Sequence, residues 1–176
     1  MDFSPARNTV LIVALALALA ACAADTPPAG QPTFYRSMAS PDAELDAVAA
    51  ASMISGYRQN NALSGVALDP TLMRLADEQA HAMAARDKLD HDVKGEFGKR
   101  MKASGFDAKV AAENISAGYH TLAEAFSGWR DSKPHRENML LNPASRIGIA
   151  AVKAPQSKYK VYWALIIAQP ADEKRG

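Results

Sequence analysis

Residues 146–168 read "RIGIAAVKAPQSKYKVYWALIIA". Two apolar, β-branched runs, "RIGIAAVK" and "KVYWALIIA", flank an "APQS" break, and this pattern predicts an antiparallel hairpin. The chain therefore contains a sheet, and its other elements must be fitted to it. Upstream the apolar period is helical. Leu45, Val48, Ala49 and Met53 share one face, with Ser40 placed as N-cap and Pro41 at the first helical position, so a helix is expected from there to about Asn60. "LDPTL" starts a second helix, with Asp69 as cap, Pro70 in the first turn and a stripe of Leu72, Leu75, Ala76, Ala80 and Met83. Residues 95–104 read as a short third helix, "AAENISAG" as an extended segment, and 121–131 as a fourth helix capped near Thr121 and carrying Leu122, Ala125, Phe126 and Trp129. Helices with a small antiparallel sheet make an α+β fold.

The N-terminus carries a different message. After Arg7, residues 10–21 form an uncharged apolar run too short to span a bilayer comfortably, ending in "LAAC" (Leu19 to Cys22). Residues 1–21 are expected to be a signal peptide, and "LAAC" resembles the lipobox of bacterial lipoproteins, in which the cysteine is lipid-modified. Cys22 is the only cysteine of the 176 residues, so no internal disulfide can form. The resemblance implies an exported protein anchored to the membrane through Cys22. With Ala23 rather than Asp next, it implies the outer membrane of a diderm envelope, facing the periplasm or the surface. Residues 22–41, rich in Pro, Gly and small polar residues, read as the anchored cysteine and a flexible tether. Residues 42–170 form the domain, and 171–176 a charged tail. With a net charge of +1 and basic residues scattered among acids, nothing marks a nucleic-acid partner.

The residues that carry chemistry are few. His81 falls nearly opposite Leu72 on the second helix and reads as a surface residue, and His120 lies in a loop before the Thr121 cap. His91, in "KLDHDVKG", can be aimed back by a loop. Glu113 is a charge inside an extended apolar segment that needs either solvent or a partner. His135 follows a Ser-Lys-Pro turn expected to display it, with Trp129 packed in the core, Arg136 and Asn138 organising a next short helix, and Met139 and Leu140 buried.

"AENISAG", the helix ending in Trp129, "SKPHRENML", "RIGIAAV" and a last strand with Tyr162 and Trp163, preceded by "LDPTLMRLADEQAHAMAARDKLDHD", together resemble the bacterial branch of the CAP superfamily. These are the SCP-like domains of cysteine-rich secretory, antigen 5 and pathogenesis-related proteins. The resemblance covers nearly all of residues 42–168. It implies an α-β-α sandwich with a central cleft lined by two histidines and two acids, able to hold a divalent metal through the histidines. The matching positions are His91, Glu113 (with Ala112 in place of the family's glycine) and His135. The second acid falls on Ser132. Asp131 beside it would be turned roughly 100° away on a helix.

Three functional readings stay open. One is a binding module whose cleft takes a small molecule, a lipid, a cell-wall fragment or a protein partner. Another is a metal-dependent hydrolase, with Zn²⁺ as the candidate cofactor on His91 and His135 and Glu113 as the catalytic base. The third is a metal-free Ser-His-Glu group using Ser132 or Ser116, neither of which lies in a nucleophile-elbow sequence.

Overall fold

The computed structural model describes residues 30–171. The α+β expectation holds. A 3-10 turn at Thr33–Tyr35 leads to α1 (Ala47–Gln59), β1 (Ala67–Leu68), α2 (Pro70–Arg86), α3 (Phe97–Ala103), β2 (Ala108–Ala117), α4 (Leu122–Asp131), α5 (Lys133–Met139), β3 (Arg146–Ala154) and β4 (Lys160–Pro170). The four strands lie in the order β1-β3-β4-β2. β3 and β4 form the expected antiparallel hairpin, and β2 runs antiparallel to β4, with Glu113 opposite Ile166. The sheet is nevertheless mixed. A two-residue strand that the sequence pattern does not mark, β1, adds parallel to β3.

β4 organises the layers because both of its faces are buried. Val161, Trp163, Leu165 and Ile167 pack with Ile54 of α1, Leu122 and Trp129 of α4, and Met139 of α5. Tyr162, Ala164, Ile166 and Ala168 pack with Leu72, Leu75, Ala76, Ala80 and Met83 of α2 and with Met101 of α3. Alternation along one strand thus feeds two cores, and the result is an α-β-α sandwich. The α2 face of the sheet includes small residues, Gly148, Ala150, Ala164 and Ala168, and at Gly148 the helix sits close. A methyl group on Gly148 would lie 2.0 Å from the carbonyl carbon of Leu72.

The helix starts follow their caps. Asp69 accepts from the backbone of Thr71 and Leu72 at 2.8 and 3.1 Å, with Pro70 at the first turn, and Thr121 with Glu124 forms a full capping box. α1 departs from expectation. It begins at Ala47 under Asp46, whose Oδ1 accepts from Ala49 N at 2.8 Å, while Ser40 and Pro41 lie in a preceding turn. Its buried stripe is Ala50, Ala51, Ile54 and Arg58, and Val48 is 68% exposed. The stripe contains two alanines and an arginine, so side-chain size does not advertise it. Arg58 is fully buried without a carboxylate. It donates instead to the carbonyls of Ser64, Met139, Leu141 and Ala144 at 2.7–2.9 Å, tying the end of α5 and the following loop to α1.

The domain also begins earlier than expected. Met38 is buried in the core, and its N–H donates to the His120 carbonyl at 2.7 Å. Thr33 donates to Asp46 at 2.8 Å. Residues 31–41 of the expected tether are therefore built into the folded unit. The expected signal peptide, Cys22 and most of the expected charged tail lie outside the described residues.

Candidate functional site

α2 ends at Asp87 in a left-handed conformation, its carboxylate accepting from Tyr162 Oη at 2.7 Å. The loop beyond it carries His91. Gln79, buried on α2, donates to the carbonyls of Asp90 and His91 at 2.9 and 3.1 Å and so fixes the loop's path. Arg100 of α3 adds bonds to the carbonyls of Gly95 (3.0 Å) and His91 (3.2 Å).

Glu113 sits in the middle of β2, only 5% exposed. Arg100 Nη2 donates to both of its carboxylate oxygens, at 3.0 and 2.8 Å, and His91 Nδ1 lies 2.8 Å from Oε1. A carboxylate only accepts, so Nδ1 carries the proton and Nε2 of the neutral ring is the free nitrogen. The next residue faces the other way, as strand geometry requires. Asn114 donates to the His135 carbonyl at 2.9 Å, and Asn138 donates to Asn114 Oδ1 (2.9 Å) and to the Glu113 carbonyl (3.2 Å). One dipeptide of β2 therefore fastens the His91 loop and α3 on one face and α5 on the other.

His135 is not displayed by a turn, as expected from the sequence. α5 starts at Lys133, so His135 lies in its first turn, half-buried. Met139 is fully buried as expected, whereas Leu140 is half-buried. Ser132 is half-buried at the junction of α4 and α5 and makes no side-chain cap bond to α5. Asp131 does not substitute for the missing acid. Arg130 takes both its oxygens, at 2.8 and 3.1 Å, on the surface. Ser116 is buried on the opposite face of β2 from Glu113, three residues along the strand, so a Ser116-His-Glu113 group cannot assemble. His81 is exposed beside Asp77, and His120 is exposed in its loop.

The imidazoles of His91 and His135 are pushed apart in proton affinity. The hydrogen bond that His91 donates to Glu113 raises the His91 pKa above its usual 6.5, against the opposing effect of burial. Burial lowers that of His135, and the nearby His91 charge lowers it further. His91 therefore adds stability that is full below pH 6.5 and fades as pH rises through its elevated value. His135 does the opposite: its contribution is present above pH 6.5 and is lost as pH falls through its depressed value.

The donor set can be tested against a metal. Among the described residues no group of three or more His, Cys, Asp or Glu side chains could hold a metal ion. Glu113 is committed to Arg100 and His91. That leaves two imidazoles, one short of the three protein ligands of a catalytic zinc site. His91 does have the second-sphere arrangement of a metal-binding histidine, with Nδ1–H on a carboxylate and Nε2 free.

Comparison with known proteins agrees with this architecture. The model of the cysteine-rich secretory protein family, CAP, matches residues 51–167. The chain belongs to the CAP family. Its single cysteine, Cys22, lies outside the matched residues, so this CAP domain is held together by its two cores and not by disulfides. An uncharacterized protein of Bacillus subtilis strain 168, YkwD, is 30% identical over 104 residues, 58% of this chain but only 40% of that relative's length. An outer surface protein of Borrelia burgdorferi superposes with a TM-score of 0.64 at 19% identity, over 71% of this chain and 92% of that one. An extracellular SCP-domain protein of Bacillus anthracis gives 0.60 at 22% identity, over 69% of this chain and 40% of that one. At these identities the structures share the fold.

The Glu113–His91 contact has a direct consequence. In Glu113→Gln, burial and the Arg100 charge act on His91 with only the lesser charge of Asp92 to offset them. NMR titration is expected to show the His91 midpoint at or below 6.5, with a stability cost of about 3 kcal/mol for the Arg100 charge left unpaired.

Proposed function

We propose that this CAP protein is an exported, lipid-anchored module of a bacterial envelope whose cleft of His91, Glu113, Ser132 and His135 binds a ligand and does not catalyse hydrolysis. The observation that carries this reading is the state of Glu113: both oxygens are engaged by a guanidinium and an imidazole, so no free carboxylate is available as a base. The alternative, a metal-dependent hydrolase with Glu113 as catalyst, requires that group to leave Arg100 first.

What remains open toward solvent is a pair of imidazoles of opposite tendency. His91 keeps its proton to higher pH than an ordinary imidazole, and His135 loses its proton at lower pH. Such a pair suits a polar or charged group of a small molecule, lipid or protein, or a divalent cation completed by water or by the ligand itself. Export is supported by the residue 1–21 pattern and by the secretory character of the family. Among the described residues no helix is long and apolar enough to cross a membrane, so attachment is assigned to Cys22, with Ala23 favouring the outer membrane.

Two measurements test this. Calorimetric titration with Zn²⁺ is expected to show one-to-one binding that strengthens as pH rises past the His91 value and disappears in a folded His91→Ala/His135→Ala variant. Binding that survives in that variant would contradict the two-imidazole site. Cys22→Ser is expected to abolish labelling by a radiolabelled fatty acid in cells, and normal labelling would remove the anchor reading.

A further inference from the structure

β3 and β4 meet at a turn, residues 155–159, that is fastened from inside. Ser157, 5% exposed, accepts from Tyr159 N at 3.0 Å and donates to Asp87, which also accepts from Tyr162 Oη. Three exposed lysines, Lys153, Lys158 and Lys160, surround the turn. Lys153 Nζ donates to the carbonyls of Ser40 and Pro41 at 3.4 and 3.0 Å, and Lys160 Nζ to that of Pro155 at 2.9 Å. Lys158 Nζ lies 4.8 Å from the centre of the Tyr159 ring. Carbonyls and a ring orient these amines without neutralising them, and among the described residues none of the three is ion-paired. The hairpin itself, from Arg146 to Pro170, contains no acid. The carboxylates behind it are engaged elsewhere: Asp87 as above, and Glu124 by the N–H groups of His120 and Thr121. Asp42, beyond Pro41, is exposed.

The chain enters the fold at this same end. Pro41 is bonded to Lys153, and Met38 N donates to the carbonyl of His120, just past the end of β2. From Cys22 to Gln31 a fully extended backbone reaches at most about 32 Å. A lipid on Cys22 therefore holds the start of the folded chain near a bilayer, and with it the end where that chain is fastened. Lys102 and Lys109 are also exposed, but they lie by the start of β2, which pairs with the far end of β4. We propose that the turn carrying Lys153, Lys158 and Lys160 docks on an anionic lipid surface, that of the membrane holding Cys22, and so fixes which end of the domain faces it. The inference rests on the Cys22 anchor proposed above. An ammonium group beside an anionic bilayer strengthens attachment by about fivefold, and salt screens the effect.

The test footprints the lysines of the full chain, as purified with its lipid, on vesicles of phosphatidylcholine alone or mixed equally with phosphatidylglycerol. Acetylation by a water-soluble amine reagent is read by peptide mass spectrometry. Lys158 and Lys160 are expected to react at least about fivefold more slowly on the mixed vesicles, a difference that high salt removes. Lys102 and Lys109 are expected to react alike on both. Intact mass reports the lipid itself. Without lipid on Cys22, the anchor and the docking fall together. With the lipid present, equal reactivity of Lys158 and Lys160 on the two vesicles, or protection of Lys102 and Lys109 instead, overturns the docking and leaves the anchor standing.

Discussion

A carboxylate taken out of water must be compensated, and in this protein the compensation of Glu113 fastens the His91 loop and α3 to β2. Removing its solvent costs several kcal/mol. That cost is offset by Arg100 on both oxygens and by His91 on one. Each partner comes from a different element: Arg100 from α3 and His91 from a loop that Gln79 and Arg100 pin by its carbonyls. The same stretch of β2 grips α5 through Asn114 and Asn138. The positions of His91 and His135 are thus consequences of one buried pair of residues on an edge strand.

The rest of the fold makes that arrangement rigid. β4 is buried on both faces and gives β2 a straight, fully paired neighbour from Ala111 to Ala117. The small residues of the sheet face under α2, Gly148 above all, let the start of the helix approach until backbone meets backbone at Leu72, and at the other end Asp87 ties the start of the His91 loop to Tyr162 of β4. On the other face, Arg58 replaces a counter-ion with four carbonyls and thereby fixes α5 from behind. No disulfide is needed in a chain whose single cysteine lies outside the domain.

Much of this was legible in the sequence where local chemistry speaks for itself. Asp69-Pro70 and Thr121 announce helix starts because caps act within one turn, and the hairpin runs are long enough to carry a period of two. The start of α1 was misread because two capping candidates compete and Asp46, not Ser40, meets the helix. β1 is too short to have a period, and Met38 joins the core from a segment whose composition suggests a tether. His91, Glu113 and His135 stand out residue by residue, but their grouping into one site comes only from the family resemblance. Arg100 was not found, because a basic residue on a short helix has no local signature of burial. Gln79 did leave a signal: it is a polar residue in the same helical stripe as Leu72, Leu75, Ala76, Ala80 and Met83, where only a specific partner justifies it.

The two histidines positioned in this way differ in protonation tendency, and the Glu113 carboxylate stays engaged. The most direct measurement is an NMR pH titration of the His91 and His135 rings in the wild-type protein. The account predicts two separate midpoints, His91 above 6.5 and His135 below it. Coincident midpoints, or the reverse order, would show that Glu113 does not hold His91 and would contradict the account.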